Sequence, residues 1–231
     1  MHPCDPSSFV SGTDGVEPVS LVERIEARHA DLSARAEALS LVSGLACPSG
    51  CGRCCISPNV ESSVADLLPA AHALFARGDA AAVHALAAAS PGWTRCVLYQ
   101  PDAARPDVDG RCGLYEHRPS ICRVFGFAAR RAKASEGLEL ATCKDLRRFT
   151  PETVARAEAV IAAGFDAPRV DRAPAEIGAE LGGGAAPLPI NEALRRAIER
   201  LGIERALLAG GRRGGDEDDE PDRPLPPLRA A

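Results

Sequence analysis

Four cysteines stand within nine residues in the stretch CPSGCGRCC, residues 47–55, and the last two are adjacent. Spacings of two or three residues let one backbone turn direct several sulfurs toward one point, with backbone N–H groups aimed at the thiolates. Gly50 and Gly52 favour such a turn, because glycine permits left-handed dihedrals and close approach. The stretch therefore predicts a metal-binding turn, with a disulfide knot or nucleophilic thiols as the alternatives.

The adjacent pair, Cys54 and Cys55, bears on the number of sites. Side chains of neighbouring residues diverge on most backbones, so we expect only one of the two to bind a given tetrahedral ion. The other would then serve a second site or bridge two metals. Eight of the nine cysteines fall between residues 47 and 143, which allows two four-sulfur sites or one cluster with spare thiols. The predicted metal ligands are Cys47, Cys51, Cys54, Cys55, Cys96, Cys112, Cys122 and Cys143.

The charge and composition narrow the partners and the cellular compartment that we expect for this protein. A net charge of -5 and a pI near 5.6 give no general attraction to nucleic acid, so we expect no nucleic-acid partner. No run approaches the roughly 18 to 20 apolar residues that span a bilayer, and the N-terminus has no secretory pattern. We therefore expect a cytoplasmic protein without a membrane partner. There, reduced thiols favour metal binding over disulfides.

Helices are expected to position the cysteines, because the chain is 45% hydrophobic with many alanines and only 4% aromatic. Apolar periodicity and helix-end signals predict helices over 18–43, 64–77, 80–89, 151–163 and 191–208. Short β-prone runs at 97–99 and 114–115 predict an irregular hairpin, with Asp109 and Gly110 at its turn. The predicted fold is mainly α, with helices around an irregular cysteine-rich metal-binding core and a short β-hairpin.

The same signals divide the chain into four segments. Residues 1–16 are predicted to be a disordered N-terminal tail, and 17–165 a cysteine-cluster domain with flanking helices. Residues 166–209 are predicted to be a helical C-terminal extension. Within it, a flexible connection that includes the glycine run 182–184 precedes the last helix. Residues 210–231 are predicted to be a disordered acidic and proline-rich tail.

The cysteine pattern resembles a known family. CPSGCGRCC, Cys96, the run CGLYEHRPSICRVFGF at 112–127, and Cys143 are together similar to the bacterial CxxCxxCC cysteine-cluster family, whose members are described as zinc- or iron-chelating proteins. The resemblance covers roughly residues 47–143, and its most specific element is the run 115–123. The chain departs from the pattern in having three residues between Cys47 and Cys51 where the family has two.

The resemblance implies a metal or iron-sulfur centre built from the eight cysteines. The flagellin lysine methylases carry a similar cysteine cluster that is thought to hold a [4Fe-4S] centre, which favours an iron-sulfur cluster over Zn²⁺ as the cofactor. Their methyl-transfer activity is not implied, because no matching cofactor-binding motif is found in this shorter chain.

Residues beside the cysteines fit a negatively charged centre. Thiolate-ligated zinc or iron clusters carry net negative charge, which nearby arginines can offset through charge-assisted hydrogen bonds. Arg118 and Arg123 are the predicted cofactor-binding residues, and Arg53, Arg95 and Arg111 are further candidates. His117 is an alternative ligand. The predicted apolar cover of the centre consists of Tyr115, Phe125 and Phe127.

Three functions follow from these observations. The first is a protein that holds an iron-sulfur centre, of the [4Fe-4S] type, and works in redox chemistry or sensing with a redox or protein partner. The second is a zinc-binding structural or chelating protein. The third is a cluster-dependent enzyme such as a protein methylase. The chain shows no acyl-transfer triad, so the sequence favours a role other than that of an enzyme.

Overall fold

The computed structural model describes residues 20–48, 50–105, 109–132, 137–179 and 186–211. Helices dominate this part of the chain, which confirms the predicted mainly α fold. The helices are α1 (Leu21–Ser43), α2 (Leu68–Arg77), α3 (Ala80–Ala88), α4 (Ser120–Val124), α5 (Lys144–Phe149), α6 (Pro151–Ala162), α7 (Ala173–Ala179) and α8 (Ile190–Gly211). No helix in these described ranges is both long enough and apolar enough to cross a membrane.

Short antiparallel strands form three two-stranded pairs between the helices. β1 (Glu61–Ser62) pairs with β6 (Leu188–Pro189), β2 (Tyr99–Pro101) with β3 (Gly110–Cys112), and β4 (Ala128–Arg131) with β5 (Leu138–Ala141). None of these pairs could be stable alone, so each depends on packing against the helices.

The sequence around α1 explains its bounds. The Ser20 hydroxyl accepts a hydrogen bond from the Glu23 backbone N–H, and the Glu23 carboxylate accepts one from the Ser20 N–H, which completes a capping box. Gly44 ends the helix with a left-handed φ of 70°. The end at Ser43 matches the predicted helix 18–43, and the buried face includes Ile25, Leu32 and Leu39.

Buried side chains of the described residues form three clusters, and the two larger ones are the main cores of the fold. In the first, α8 packs against α2 and α3, and its Leu194 and Ile198 share one buried cluster with Leu68 and Leu74 of α2. In the second, α1, the hairpin β4–β5 and α6 bury side chains that include Leu140. The segments predicted as 17–165 and 166–209 both contribute to the first core.

The hairpin β2–β3 differs from the prediction in its turn. Asp109 and Gly110 do not form the turn, because Gly110 lies within β3 and pairs with Pro101. A Cβ at Gly110 would lie 2.5 Å from the Gln100 carbonyl oxygen and from the Tyr99 hydroxyl. Glycine is therefore required by the close approach across the strands. The second predicted strand run, 114–115, instead begins a 3-10 turn at Tyr115–His117.

Some predictions for the connecting segments and tails also need correction or fall outside the structure. The stretch from 164 to 191 is not wholly irregular, because α7 lies within it and buries Ile177. The predicted tail 1–16, the glycine run 182–184 and residues 212–231 lie outside the described residues. Residues 210 and 211 end α8.

Candidate metal centre

The cysteine loop, residues 47–55, folds against the hairpin β2–β3. The Gly110 N–H donates to the Gly50 carbonyl at 3.1 Å, and the Cys55 N–H donates back to the Gly52 carbonyl at 2.9 Å. A Cβ at Gly52 would lie 2.8 Å from Cε2 of Tyr99. Close approach at Gly52 and a φ of 73° at Gly50 explain why glycines separate the cysteines.

Beside this loop lies a cavity of about 520 Å³ at which the two cores meet. Its apolar wall includes Leu67, Leu98, Phe125 and Leu194. Six of the eight predicted ligands line it: Cys54, Cys55, Cys96, Cys112, Cys122 and Cys143. The structure thus brings together thiols from the cysteine loop, the hairpin, α4 and the N-terminus of α5.

The remaining two predicted ligands, Cys47 and Cys51, lie at the edge of this arrangement. Burial raises the pKa of Cys47 to about 11, and repulsion from the thiolates of Cys51, Cys54 and Cys143 adds to the rise. These four thiols are therefore electrostatic neighbours. We refer to Cys47, Cys51, Cys54 and Cys143 as the loop set.

The other four thiols form a second neighbourhood. Burial raises the pKa of Cys122 well above its usual value, and repulsion from Cys96, Cys112 and Cys54 adds to it. The pKa of Cys55 is also raised, first by its hydrogen bond with Cys54 and then by burial, and repulsion from Cys54, Cys122 and Cys112 adds to the rise. Cys55, Cys96, Cys112 and Cys122 are called the hairpin set below. Cys54 belongs to the loop set and is also a neighbour of Cys55 and Cys122.

All eight of these cysteines are free thiols, and two of them are in contact. The sulfurs of Cys54 and Cys55 lie 3.9 Å apart, so the adjacent side chains do not diverge as expected. The cause is the local backbone, which forms a tight turn rather than an extended strand. As placed, no three His, Cys, Asp or Glu side chains in the described ranges converge closely enough to hold a metal ion.

Arg118 is the predicted cofactor-binding residue that lines the cavity. Its Nε donates to the Tyr115 carbonyl at 2.9 Å, and its Nη1 donates to the Cys122 carbonyl at 3.4 Å. The guanidinium carbon lies 3.5 Å from the centre of the Tyr115 ring. Burial raises the pKa of Cys112, and the positive charge of Arg118 opposes that rise.

Arg123, the other predicted cofactor-binding residue, is not part of the cavity wall. Its guanidinium donates to the carbonyls of Glu116 and Arg118, and to the Ser33 hydroxyl on α1 at 3.3 Å. The side chain therefore fastens the segment before α4 to α1. In the structure Arg123 supports the shape of the run 115–123.

The other sequence candidates divide between the cavity and the surface. Arg53 lines the cavity and forms a 3.1 Å ion pair with Asp145, which ties the cysteine loop to α5. Arg95 lies over the Tyr99 ring, and Arg111 is exposed.

Outside the cavity wall, His117 pairs with Glu26 of α1 at 3.5 Å. Of the predicted apolar cover, Phe125 lines the cavity, Phe127 packs on the second core and Tyr115 is 54% exposed.

Two polar residues that the sequence did not single out also bear on the site. The Thr142 hydroxyl oxygen is buried without a hydrogen-bond partner, although Thr142 lines the cavity beside Cys143. Asn191, buried at the start of α8, donates to the Arg95 carbonyl and accepts from the Val97 N–H, each at 3.0 Å. Asn191 therefore holds both neighbours of Cys96. Only the adjacency of Thr142 to Cys143 was visible in the sequence.

An irregular cavity lined by six thiols is the kind of site expected of a cysteine-cluster metal-binding domain. Consistent with this class, residues 46–146 match a model of the CxxCxxCC family, described as a "putative zinc- or iron-chelating domain". The match spans all eight cysteines from Cys47 to Cys143 and confirms the resemblance seen in the sequence. Neither the curated proteins nor the solved structures gave a match to the chain.

Proposed function

We propose that residues 46–146 hold an iron-sulfur centre of the [4Fe-4S] type, and that the protein works in redox chemistry or sensing. The observation that carries the proposal is the 520 Å³ cavity with six thiols in its wall. A structural zinc site packs four thiolates around one small ion and needs no such space. Sites of roughly 300 Å³ and more accommodate groups of many atoms.

The chemistry of the cavity wall fits such a group. Cluster sulfides and thiolates accept hydrogen bonds, and the buried Thr142 hydroxyl is a donor without a partner at this wall. Arg118 supplies positive charge near Cys112, while Leu67, Leu98 and Phe125 exclude water. When bound, an iron-sulfur centre accepts and releases single electrons at a potential set by charge, hydrogen bonds and solvent exposure.

The protein's own residues divide this task. The cysteine loop and the N-terminus of α5 supply the loop set, and their separation is limited by the Arg53–Asp145 ion pair. In the hairpin set, β3 supplies Cys112, α4 supplies Cys122, and Asn191 holds the chain at Cys96. Each set has four thiols, the number that one four-iron cluster takes from a protein. We therefore propose one centre for each set.

Anaerobic purification followed by iron, zinc and acid-labile sulfide analysis and a visible spectrum tests the proposal. We expect a brown protein with about four irons and four sulfides per centre. Cys112→Ser should lose iron, whereas Cys4→Ser, outside the family match, should retain it. A colourless protein with stoichiometric zinc and no sulfide would contradict the iron-sulfur proposal and support the zinc alternative.

A further inference from the structure

A buried carboxylate, that of Asp66, contacts the first residue of α4, the helix that carries Cys122. Asp66 and His29 are each 1% exposed, and Nε2 of His29 lies 2.6 Å from Oδ1 of Asp66. Oδ1 also accepts the Ser120 N–H at 2.9 Å. Oδ2 accepts the hydroxyls of Ser120 at 2.6 Å and Ser62 at 3.1 Å. Four donors thus surround one carboxylate.

These contacts explain how α4 is held. Ser120 is the first residue of a five-residue helix, and the residue before it, Pro119, provides no side-chain cap. A helix this short is not stable alone, and its first N–H groups need acceptors. Asp66 accepts both the N–H and the hydroxyl of Ser120, across 54 residues of sequence. It therefore caps α4 from another element and sets the position of Cys122, two residues further on.

The pattern of donors also defines the charge on this network. An ionised carboxylate only accepts, and Asp66 faces donors on both oxygens. Nδ1 of His29 has no partner, so a proton there would be a buried, unsatisfied donor. The arrangement therefore fits a neutral imidazole that donates through Nε2 to an anionic Asp66. Asp66 contacts Ser120, two residues from Cys122, and its negative charge adds to the rise that burial causes in the pKa of Cys122.

We propose that Asp66 is a positioning residue for the metal centre, which anchors the Cys122 helix and places a fixed negative charge beside that ligand. His29 supports Asp66 from α1. The anchoring itself depends only on the described contacts. The effect on a bound centre rests on the proposed function.

Thiol labelling of the metal-free full-length protein tests the anchoring. Asp66→Asn keeps the shape of the side chain, and Ser120→Ala removes one of its two contacts with α4. We expect Cys122 to react with N-ethylmaleimide about tenfold faster in both, since losing a hydrogen bond to a charged group corresponds to at least that factor. Cys143, on a different element, should keep its wild-type rate in the same digest.

Ser62→Ala is the matched control, because it removes a donor from the same carboxylate without touching α4. Cys122 should then react within about twofold of wild type, a difference smaller than one hydrogen bond. An unchanged Cys122 rate in both Asp66→Asn and Ser120→Ala would overturn the anchoring. An equal rise at Cys143, or in Ser62→Ala, would overturn it as well, because the whole domain would then have loosened.

The charge is tested on the metal-loaded protein. Asp66→Asn should raise the midpoint potential of the centre, because removing a negative charge favours the added electron, whereas Ser120→Ala keeps the charge and should leave the potential unchanged. An unshifted potential in Asp66→Asn would overturn the electrostatic role. A wild-type protein without iron would instead contradict the proposed function, and the labelling result would still decide the anchoring.

Discussion

The sulfurs of Cys54 and Cys55 lie 3.9 Å apart in a tight turn of the cysteine loop. At this distance the two thiols share a hydrogen bond, which lowers the pKa of Cys54 to about 6 and raises the pKa of Cys55 above its usual range. In the metal-free protein, the contact therefore favours ionisation of Cys54 over ionisation of Cys55. Cys54 is therefore ready as a thiolate ligand at neutral pH, whereas Cys55 must lose its proton when a metal binds.

Alkylation of the metal-free protein should reveal this asymmetry. Because the pKa of Cys54 is lowered to about 6, its rate of reaction with iodoacetamide should rise with pH between about 5 and 7 and then level off. Cys55→Ala removes the donor, so at pH 7 Cys54 should react about three- to sixfold more slowly, because the smaller thiolate fraction is partly offset by the greater nucleophilicity of a more basic thiolate. Peptide-resolved mass spectrometry measures both rates. An alkylation rate of Cys54 that still rises steeply between pH 8 and 9 would contradict the lowered pKa of Cys54.

Gly52 should tolerate no side chain. A Cβ there would lie 2.8 Å from Cε2 of Tyr99 and 2.9 Å from the Gly110 nitrogen, so Gly52→Ala forces the cysteine loop away from the hairpin. We expect a loss of about 1–3 kcal/mol in the free energy of unfolding, measured by urea denaturation, together with weaker metal binding. Gly50→Ala is the control, since its φ of 73° is strained but no atom lies within 4 Å. A smaller loss for Gly52→Ala than for Gly50→Ala would argue against close docking.

The sequence predicted the elements whose signals are local. The long helix α1 follows from its apolar periodicity, and the spacing of the cysteines predicted a group of thiols, six of which the structure places around one cavity. It could not predict α7, whose seven residues span barely two turns, or the hairpin β4–β5, whose short strands carry no clear alternation. These elements are formed by packing against the cores.

Partners that lie far apart in sequence were also missed. Asp66 meets His29 across 37 residues and Ser120 across 54, so no motif joins them. Arg118 and Arg123 looked equivalent beside the cysteines. The fold directs one guanidinium along the cavity wall and the other toward Ser33 of α1. Only the tertiary structure separates these two roles.

The Arg53–Asp145 ion pair should matter more for metal retention than for stability. The two side chains are 45% and 32% exposed, so solvent screening limits their contribution to about 1 kcal/mol or less. They nevertheless join Cys54 and Cys143 of the loop set. Arg53→Gln should therefore change the urea midpoint little but speed metal loss to a chelator.

Arg130→Gln provides the matched control for this ion pair. Arg130 pairs with Glu139 at 2.7 Å with similar exposure, but neither residue lines the cavity. Arg130→Gln should lose metal to the chelator at the wild-type rate. Equally fast loss in Arg130→Gln and Arg53→Gln would show that the effect is not specific to the cysteine loop.

If each thiol set binds its own centre, a substitution in one set should leave the metal of the other set bound. Cys51→Ser, in the loop set, and Cys112→Ser, in the hairpin set, should each remove about half of the bound metal, and the double variant nearly all of it. Metal analysis per folded chain measures this, with Cys4→Ser as the control. Complete loss in either single variant would instead indicate one centre shared by both sets.

Because α8 shares the first core with α2, we predict that α8 and residues 46–146 unfold together. Ile198 of α8 is 4% exposed and packs with residues of α2, so Ile198→Ala should cost about 2–5 kcal/mol. Ile203, on the same helix, is 62% exposed, and Ile203→Ala should be nearly neutral.

Trp93, the one tryptophan of the chain, lies outside α8, and its fluorescence reports on the unfolding of residues 46–146. Its urea transition should shift in Ile198→Ala by the same free energy that far-UV circular dichroism records, because Asn191 links the start of α8 to residues 94–97. A shift in circular dichroism without a shift at Trp93 would mean that α8 unfolds as a separate extension. Equal shifts in circular dichroism and in Trp93 fluorescence would show that α8 unfolds together with the segment that contains Cys96.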